Sequence, residues 1–365
     1  MQNLTNILKS DFDKLLNMSC IHWDDLRNKT ILITGANGLI GSNLVNTILY
    51  ANSQKDYNIK IVAVVRNIEK ALNKFIGKDN ISFITSNVQA LKNVNEEIDF
   101  IVHAANPTSS RFFIEQPVET IQTAIIGTQN LLEIAKAKKV KNFVFLSSME
   151  VYGNPKKGEI VSEKHIAGFD PTVTRNCYPM SKKLCESLCQ AYYSEYNVPT
   201  NVLRLTQTFG PGVEYNDGRI FAEFMRCVVE KHDIVLKSKG ETERCYLYTA
   251  DAVSAILTTM LSNKGGECYT VANPETYCSI AEMAELVADK IGNNKIKVAY
   301  DIAEDITKLG YANTLYMNLN VDKLKSLGWK PLTGLEEMFR RMIMATNKDI
   351  NLNNKPNNVY VGERK

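Results

Sequence analysis

The stretch TGANGLIG, residues 34–41, decides the fold because it joins a short apolar run, ILITG (31–35), to the start of a helical pattern. At such a strand-to-helix turn, Gly35 is expected to make the tight turn and Gly38 to let the backbone approach a pyrophosphate. Gly41 is expected to let the helix pack closely on the strand, and the helix N-terminus would then face the anion. The stretch therefore predicts a dinucleotide site, although glycines at this position can also serve backbone geometry alone.

Outward from this turn, short apolar strands alternate with helical patterns. The predicted strands are 31–35, 59–65, 81–84, 100–105, 142–148 and 201–205. Near-continuously apolar strands that are separated by helices indicate a parallel sheet buried on both faces. The sequence predicts an α/β fold, a Rossmann doubly wound parallel sheet, with a smaller α/β substrate-binding lobe toward the C-terminus.

The rhythm changes at FGPGVEYNDGR (209–219), where several breakers occur together. A chain of 365 residues also exceeds the size at which a single core keeps growing. The predicted division comprises an N-terminal extension (1–29), a dinucleotide-binding domain (30–205 with about 245–265), a nucleotide-sugar-binding lobe (about 206–244 and 266–345) and a polar tail (346–365). The Asn- and Lys-rich part of that tail, 347–358, is predicted to be loosely ordered.

Composition excludes several classes of partner. The 43 basic and 40 acidic residues give a net charge of +3, too even to indicate a nucleic-acid or membrane-surface partner. The eight cysteines show no CxxC pair and no zinc-type spacing, so reduced thiols, no metal and a cytoplasmic location are expected. The first thirty residues lack the apolar core of a signal peptide, and no later run reaches membrane-spanning length.

A second motif, YPMSK (178–182), places Tyr178 and Lys182 four residues apart on one helix face. A phenol with an ordinary pKa near 10 is a poor base at neutral pH, and a nearby ammonium and a nicotinium ring would both favour the phenolate. Taken alone, YxxxK also fits a solvated helix face. Its position about thirty residues after Ser148, at a strand end and downstream of TGxxGxxG, indicates chemistry instead.

With these motifs the chain resembles the extended short-chain dehydrogenase/reductases. The resemblance implies that Ser148 hydrogen-bonds the substrate hydroxyl that Tyr178 deprotonates, while the nicotinamide accepts hydride from the same carbon. Ser147 is expected to be structural. The cofactor-binding residues implied by the turn and by the resemblance are Gly35, Asn37, Gly38, Leu39, Ile40, Gly41, Arg66, Asn87, Val88, Ala104, Ala105, Tyr178 and Lys182.

The end of the second strand bears on the choice between NAD and NADP. Folds of this type usually carry an acidic residue there to bind the ribose hydroxyls, and this chain has Arg66. A guanidinium suits a 2′-phosphate, which favours a tightly bound NADP over NAD. The same arginine could instead stack on adenine.

The resemblance narrows to enzymes that remodel nucleotide-activated sugars. HAANPTSS (103–110) and RNCY (175–178) look like the corresponding segments of UDP-glucuronate decarboxylases. The substrate-binding residues that the likeness implies are Ser148, Gln207, Arg219 and Arg244. Arg244 would reach the diphosphate or the sugar, the alternative being a surface arginine paired with Glu243. Gln207 and Gly212 depart from the asparagine and arginine of many relatives, so the sugar pocket is not a copy of a familiar one.

The expected reaction depends on Met149 and Glu150. Many relatives first oxidise C4 to a 4-keto sugar, and a glutamate at the position of Glu150 then removes the C5 proton. Met149 cannot supply the acid that expels a C6 hydroxyl in some dehydratases. Chemistry at C5 or C6 is favoured, and decarboxylation and simple 4-epimerisation are the alternative enzyme reactions. A non-catalytic dinucleotide sensor is the alternative of another class. For Glu150 itself, the alternative is a carboxylate at a strand end that simply faces solvent.

Assembly is also expected from the resemblance. Relatives form homodimers through a four-helix bundle with two helices from each subunit. The corresponding helices here lie near 117–137 and 178–196, and the first is apolar enough to bury more than one face.

Overall fold

The computed structural model of the chain describes residues 2–75, 79–302 and 314–346. The strands, in chain order, are β1 (Thr30–Thr34), β2 (Lys60–Val65), β3 (Ile81–Thr85), β4 (Phe100–His103), β5 (Asn142–Ser148), β6 (Ile160–Val161), β7 (Thr200–Leu205), β8 (Gln207–Phe209), β9 (Ile234–Leu236), β10 (Glu243–Tyr248), β11 (Glu267–Val271), β12 (Asn273–Ser279), β13 (Val298–Tyr300) and β14 (Tyr316–Leu319).

The α-helices connect these strands. They are α1 (Gln2–Leu16), α2 (Leu39–Gln54), α3 (Ile68–Phe75), α4 (Ser110–Glu115), α5 (Pro117–Lys138), α6 (Cys177–Tyr196), α7 (Ile220–Glu230), α8 (Thr249–Met260), α9 (Ile280–Leu286), α10 (Asp322–Lys325) and α11 (Leu335–Ala345). A short 3₁₀ turn, Met149–Tyr152, follows β5 directly.

The large sheet has the order β11-β7-β5-β4-β1-β2-β3, and every neighbouring pair in it is parallel. Helices α5 and α6 pack on one face, where their apolar side chains form one cluster with the strands. Helices α2 and α8 cover the other face. Because the chain winds outward from β1 in both directions, the predicted doubly wound α/β fold is confirmed.

The smaller lobe is built on the sheet β12-β10-β14-β6, with β8 alongside β10 and with β9 and β13 paired separately. Its apolar core packs α7, α9 and α11 against β8 and β10. The predicted boundary at residue 266 differs from the structure because β11 pairs with β7 and extends the large sheet. Strand β11 follows α8, which crosses over that sheet, so a parallel position beside β7 completes another β-α-β unit.

The N-terminal extension docks on the body of the protein. Helix α1 packs against α2, α8 and α11. Asp11 is 4% exposed, accepts the hydroxyl of Tyr248 at 2.6 Å and is ion-paired with Arg341 of α11 at 2.6 Å. This buried cluster joins α1 to β10 and α11. The predicted loose part of the tail, 347–358, lies outside the described residues.

Candidate active site

The glycine-rich turn brings the ends of β1 and β4 together. Gly35 has φ +68°, and a Cβ there would lie 2.9 Å from the backbone of Ala104 and Ala105. At Gly41 a Cβ would lie 2.3 Å from the carbonyl oxygen of Gly35. Gly38 is exposed, and its Cβ would meet only that same oxygen, at 3.1 Å. The turn therefore requires glycine at its first and last positions and leaves an open backbone surface between them.

A buried hydrogen-bond chain holds this arrangement in place. The backbone N–H of Ala105 donates to Oγ1 of Thr34 at 3.2 Å, and that hydroxyl lies 2.8 Å from Nδ1 of His103. Burial lowers the pKa of His103 to about 3, so the ring is neutral at neutral pH. The neutral ring and the Thr34 hydroxyl share one hydrogen bond, which links the ends of β1 and β4.

The surroundings of Asn37 fit a dinucleotide. Nδ2 of Asn37 donates to the carbonyl oxygen of Asn67 at 3.0 Å, whereas its Oδ1 is buried and has no partner among the described residues. An unpartnered buried acceptor is costly and indicates a ligand. Leu39 and Ile40 begin α2 beside it. Arg66 is exposed at the end of β2 and makes no hydrogen bond or ion pair with the part of the chain that is described.

Asn87 and Val88 lie after β3, at the same edge of the large sheet. Oδ1 of Asn87 accepts the backbone N–H of Ala90 at 2.8 Å, and Asn87 itself is exposed. Val88 is buried against Gly127 of α5, where a Cβ would approach its Cγ2 to 2.5 Å. Their contact with adenine stays a prediction.

The predicted catalytic residues come together at the end of β5. Tyr178 is buried, its ring stacks on Phe113 of α4 with centroids 4.1 Å apart, and its hydroxyl lies close enough to Ser148 for that side chain to influence its pKa. Burial raises the pKa of Tyr178 and the charge of Glu150 raises it further, while the Ser148 side chain and the charge of Arg175 act to lower it. This direction is opposite to the shift that the sequence led us to expect.

Lys182 lies next to Tyr178 in the site. Its Nζ donates to the carbonyl oxygen of Leu146 at 2.7 Å and lies 5.9 Å from the Tyr178 ring centroid. Burial lowers the pKa of Lys182 to about 8. The ammonium is therefore anchored on β5 below the tyrosine. Ser147 was expected to be structural, and its hydroxyl donates to Glu186 of α6.

Glu150 is held by Arg175. Nη2 of Arg175 lies 2.8 Å from Oε2 of Glu150, and the two side chains are 30% and 29% exposed. The guanidinium also lies 4.9 Å from the ring centroid of Phe113, the ring that stacks on Tyr178. Arginine, phenylalanine and tyrosine therefore form one layered unit with the carboxylate at its edge. Glu150 is thus paired rather than simply facing solvent.

Two of the predicted substrate residues lie together in the smaller lobe. Gln207 of β8 is in register with Tyr246 of β10, two residues from Arg244. Oε1 of Gln207, Nε of Arg244 and the Tyr246 hydroxyl are all buried without a partner in the described ranges. The alternative pairing of Arg244 with Glu243 is wrong, because Glu243 is engaged by the Tyr277 hydroxyl at 2.7 Å and by Lys157 at 3.3 Å.

Arg219 is placed differently from these residues. Its Nε donates to Oδ1 of Asp217 at 2.9 Å and its Nη2 to Oδ2 at 2.5 Å, which makes a bidentate pair. This pairing compensates the charge of Arg219 within the lobe. A role for Arg219 toward substrate stays a prediction.

Two further residues were missed from the sequence. Both amide atoms of Asn106, directly after Ala105, are buried and unpartnered within the described residues. Ligands in open α/β sheets bind at the carboxyl ends of the strands, and that rule could have indicated Asn106. Arg175 lies three residues before Tyr178, and only the tertiary structure brings it to Glu150.

Residues 31–273 match the model of the NAD dependent epimerase/dehydratase family. The chain belongs to that family. UDP-glucuronic acid decarboxylase 1 of Xenopus tropicalis is 29% identical over 343 residues, which cover 92% of this chain and 76% of that protein. UDP-glucuronic acid decarboxylase 6 of Arabidopsis thaliana is 29% identical over 314 residues, 85% of this chain and 86% of the relative.

Solved structures of similar fold include UDP-glucose 4-epimerase of Thermotoga maritima, with a TM-score of 0.72 and 22% identity, covering 87% of this chain and 98% of that one. The dTDP-glucose 4,6-dehydratase of Bacillus anthracis, solved with NAD, gives a TM-score of 0.70 and 22% identity, covering 87% and 96%. These likenesses support the fold. Family membership confirms the predicted enzyme class, an NAD-dependent epimerase/dehydratase.

None of the helices among the described residues is both long and apolar enough to cross a bilayer. No three histidine, cysteine, aspartate or glutamate side chains among them are grouped as a metal site would need. All eight cysteines are free thiols.

Proposed function

We propose that the protein converts a nucleotide-diphosphate sugar through a 4-keto intermediate, with the decisive chemistry at C5 or C6. The observation that carries this proposal is the position of Glu150, which lies two residues beyond Ser148, influences the pKa of Tyr178 through its charge and is ion-paired with Arg175 at 2.8 Å. A carboxylate at the edge of an acid-base pair has no task in simple inversion at C4.

The first step uses Ser148, which is half-buried, and Tyr178, which is buried. The substrate hydroxyl at C4 takes the place beside the phenol, Ser148 hydrogen-bonds it, and the ionised Tyr178 accepts its proton. The nicotinamide ring, when bound, supplies the hydride acceptor for C4. Lys182, anchored on the Leu146 carbonyl, provides the nearby positive charge that favours the phenolate once its proton has left.

The second step belongs to Glu150. A 4-keto group acidifies the proton on C5, and the carboxylate is then a suitable base to remove it. Arg175 holds Oε2, while Oε1 accepts no hydrogen bond from any described residue, so Oε1 is the oxygen we assign to the proton. Decarboxylation of a uronic acid is the second candidate, because the same arginine could bind a C6 carboxylate and because the decarboxylases match most of the chain.

The remaining parts of the proposal concern cofactor, substrate and assembly. Asn37, Arg66 and the glycine turn would hold a tightly bound NAD or NADP, with Arg66 favouring NADP. Gln207, Arg244 and their neighbour Tyr246 would bind the nucleotide sugar, since their buried atoms need partners. The proposed assembly is a homodimer through α5 and α6. The proposed location is the reducing cytoplasm, in keeping with the free thiols.

Mass spectrometry of products distinguishes these reactions. The purified protein is incubated with UDP-, GDP- and dTDP-sugars, including UDP-glucuronate; loss of water, loss of CO₂ and no change in mass separate dehydration, decarboxylation and epimerisation. Tyr178→Phe removes one hydroxyl and should lower turnover by roughly two to four orders of magnitude, because general acid-base catalysis is worth that much. Its thermal stability and cofactor content should stay close to wild type.

Two results would contradict the proposal. Substantial turnover by Tyr178→Phe would remove this tyrosine from proton transfer. An absence of turnover with every sugar, in a protein that carries its cofactor, would favour a dinucleotide sensor.

A further inference from the structure

Lys74 of α3 places its ammonium against the glycine-rich turn. Its Nζ lies 3.3 Å from the backbone carbonyl oxygen of Asn37, the only hydrogen-bond partner that the described residues give it. The side chain is half-buried, and no carboxylate in the described ranges lies within ion-pair distance. Burial lowers the pKa of Lys74, and the charge of Lys70 adds to this effect. A cation that loses water for one long contact is left under-compensated, and this calls for an anion.

The neighbouring Lys70 is arranged in the opposite way. Its Nζ is 2.7 Å from Oε1 of Glu214, a residue of the segment after β8, and both side chains are exposed. The charge of Lys70 is therefore already paired in water. Glu214 acts on Lys74 only at longer range, where it opposes the effect of Lys70. The two lysines, one turn apart on the same helix, thus differ in burial and in pairing.

The position of Lys74 identifies the part of the cofactor that it faces. Helix α3 follows β2, and the carboxyl end of β2 carries Arg66. The side-chain amide of Asn37 donates to the backbone carbonyl of Asn67, the residue that follows Arg66. The buried Oδ1 of Asn37 has no partner among the described residues. In this fold the end of the second strand meets the adenosine ribose, while the glycine turn meets the pyrophosphate. Lys74 reaches the turn from the ribose side, where the Asn37 oxygen suits a ribose hydroxyl.

We propose that Lys74 binds the phosphate on the adenosine 2′-oxygen of NADP together with Arg66, and that this pair of cations selects NADP over NAD. The inference rests on the cofactor part of the proposed function and does not depend on which sugar is converted. The guanidinium supplies a planar donor face at the strand end, and the ammonium supplies a point charge from the helix. A 2′-hydroxyl would leave Lys74 without its anion.

Calorimetric titration of the full chain with two probes, after any tightly bound cofactor has been removed and its absence checked by absorbance, tests this inference. Adenosine 2′,5′-bisphosphate and AMP differ only in the 2′-phosphate. Wild type should bind the bisphosphate roughly tenfold or more tightly than AMP. Lys74→Gln should weaken the bisphosphate about ten- to hundredfold and change AMP by less than about twofold, because one charge-assisted contact is lost. Lys74→Arg should retain most of the preference.

Lys70→Gln is the matched control, since it removes a lysine from the same helix whose charge Glu214 already pairs. It should change neither probe by more than about threefold. Thermal unfolding and circular dichroism establish that each variant is folded.

Equal losses on both probes would place Lys74 on a phosphate that NAD and NADP share and would overturn the inference, as would an unchanged preference. Equal binding of both probes by wild type would overturn it as well. Binding of neither probe would defeat the dinucleotide site itself. A retained preference in a protein that converts none of the sugars would remove only the proposed reaction.

Discussion

At the residue scale, the proposed reaction depends on how one carboxylate is held. Glu150 is fixed by Arg175, and Arg175 rests on the ring that covers Tyr178. A change in any member of this layered unit is therefore felt by the others. The pairing restricts the orientation of Glu150, as the proposed role of a base that acts after Tyr178 requires.

Glu150→Gln tests this role. The amide keeps the shape of the side chain but cannot accept the C5 proton, so product formation should fall about 10²- to 10⁴-fold. Incorporation of deuterium at C5 from heavy water should fall with it. Glu159→Gln is the control, because that glutamate pairs with His165 outside the site, and it should leave both rates unchanged. A wild-type enzyme whose product carries no deuterium at C5 would instead be a simple 4-epimerase.

The sequence predicted some of these residues because their spacing along the chain is itself the signal. Ser148, Tyr178 and Lys182 lie on one strand end and one helix, where local geometry decides which way side chains point. Arg175 and Asn106 were not predicted as site residues. The partner of Arg175, and the burial of both Asn106 amide atoms, arise only from packing between distant segments.

At the element scale, α8 connects the two lobes through its first turn. Both carboxylate oxygens of Asp251 accept backbone N–H groups, from Leu332 and Thr333, each at 3.1 Å. The indole of Trp329 donates to Oγ of Ser254, one turn later, at 2.8 Å. This buried helix start is therefore the anchor for the segment that leads into α11.

The charge of Asp251 makes stability depend on pH. Burial raises the pKa of Asp251 from 3.8 to about 7, so the folded protein keeps a proton that the unfolded chain releases. The contribution of this carboxyl is present below pH 4 and is lost as pH rises to about 7. Asp251→Asn cannot titrate, so the stability of wild type relative to this variant should fall by about 2 to 3 kcal/mol between pH 5 and pH 7.5.

Urea unfolding at the two pH values measures this difference. Asp24→Asn is the control, because Asp24 is exposed and its ion-pair partner among the described residues is the surface side chain of Arg27. A wild-type advantage that is the same at both pH values would show that Asp251 is ionised throughout the range.

The elements themselves were predictable to different degrees. Strands β1 to β5 and β7 have near-continuous apolar runs, and the structure places them close to their predicted bounds. Strand β11 was wrongly assigned to the smaller lobe. Its pairing with β7 depends on the path of α8 over the large sheet, which the composition of β11 does not reveal. The docking position of α1 could not be predicted from the sequence either, because Asp11 is ion-paired with Arg341 near the opposite end of the chain.

At the scale of the whole molecule, α5 and α6 pack against each other on one face of the large sheet. Their outer surfaces still carry exposed aliphatic side chains, including Val118 and Ile121 of α5 and Leu184 of α6. An apolar surface of this kind on two adjacent helices is suited to association with a second copy of the same pair.

If that surface forms the proposed homodimer, Ile121→Lys combined with Leu184→Lys should convert the protein to a monomer. Two ammonium groups would be buried at a twofold interface without partners, which an apolar contact cannot compensate. Sedimentation equilibrium should then give about twice 41.1 kDa for wild type and about 41.1 kDa for the variant. Ile166→Lys is the control, because Ile166 is 88% exposed in a loop outside both helices and should leave the dimer intact. A wild-type protein of monomeric mass would rule out the dimer, and a dimeric double variant would place the interface on another face.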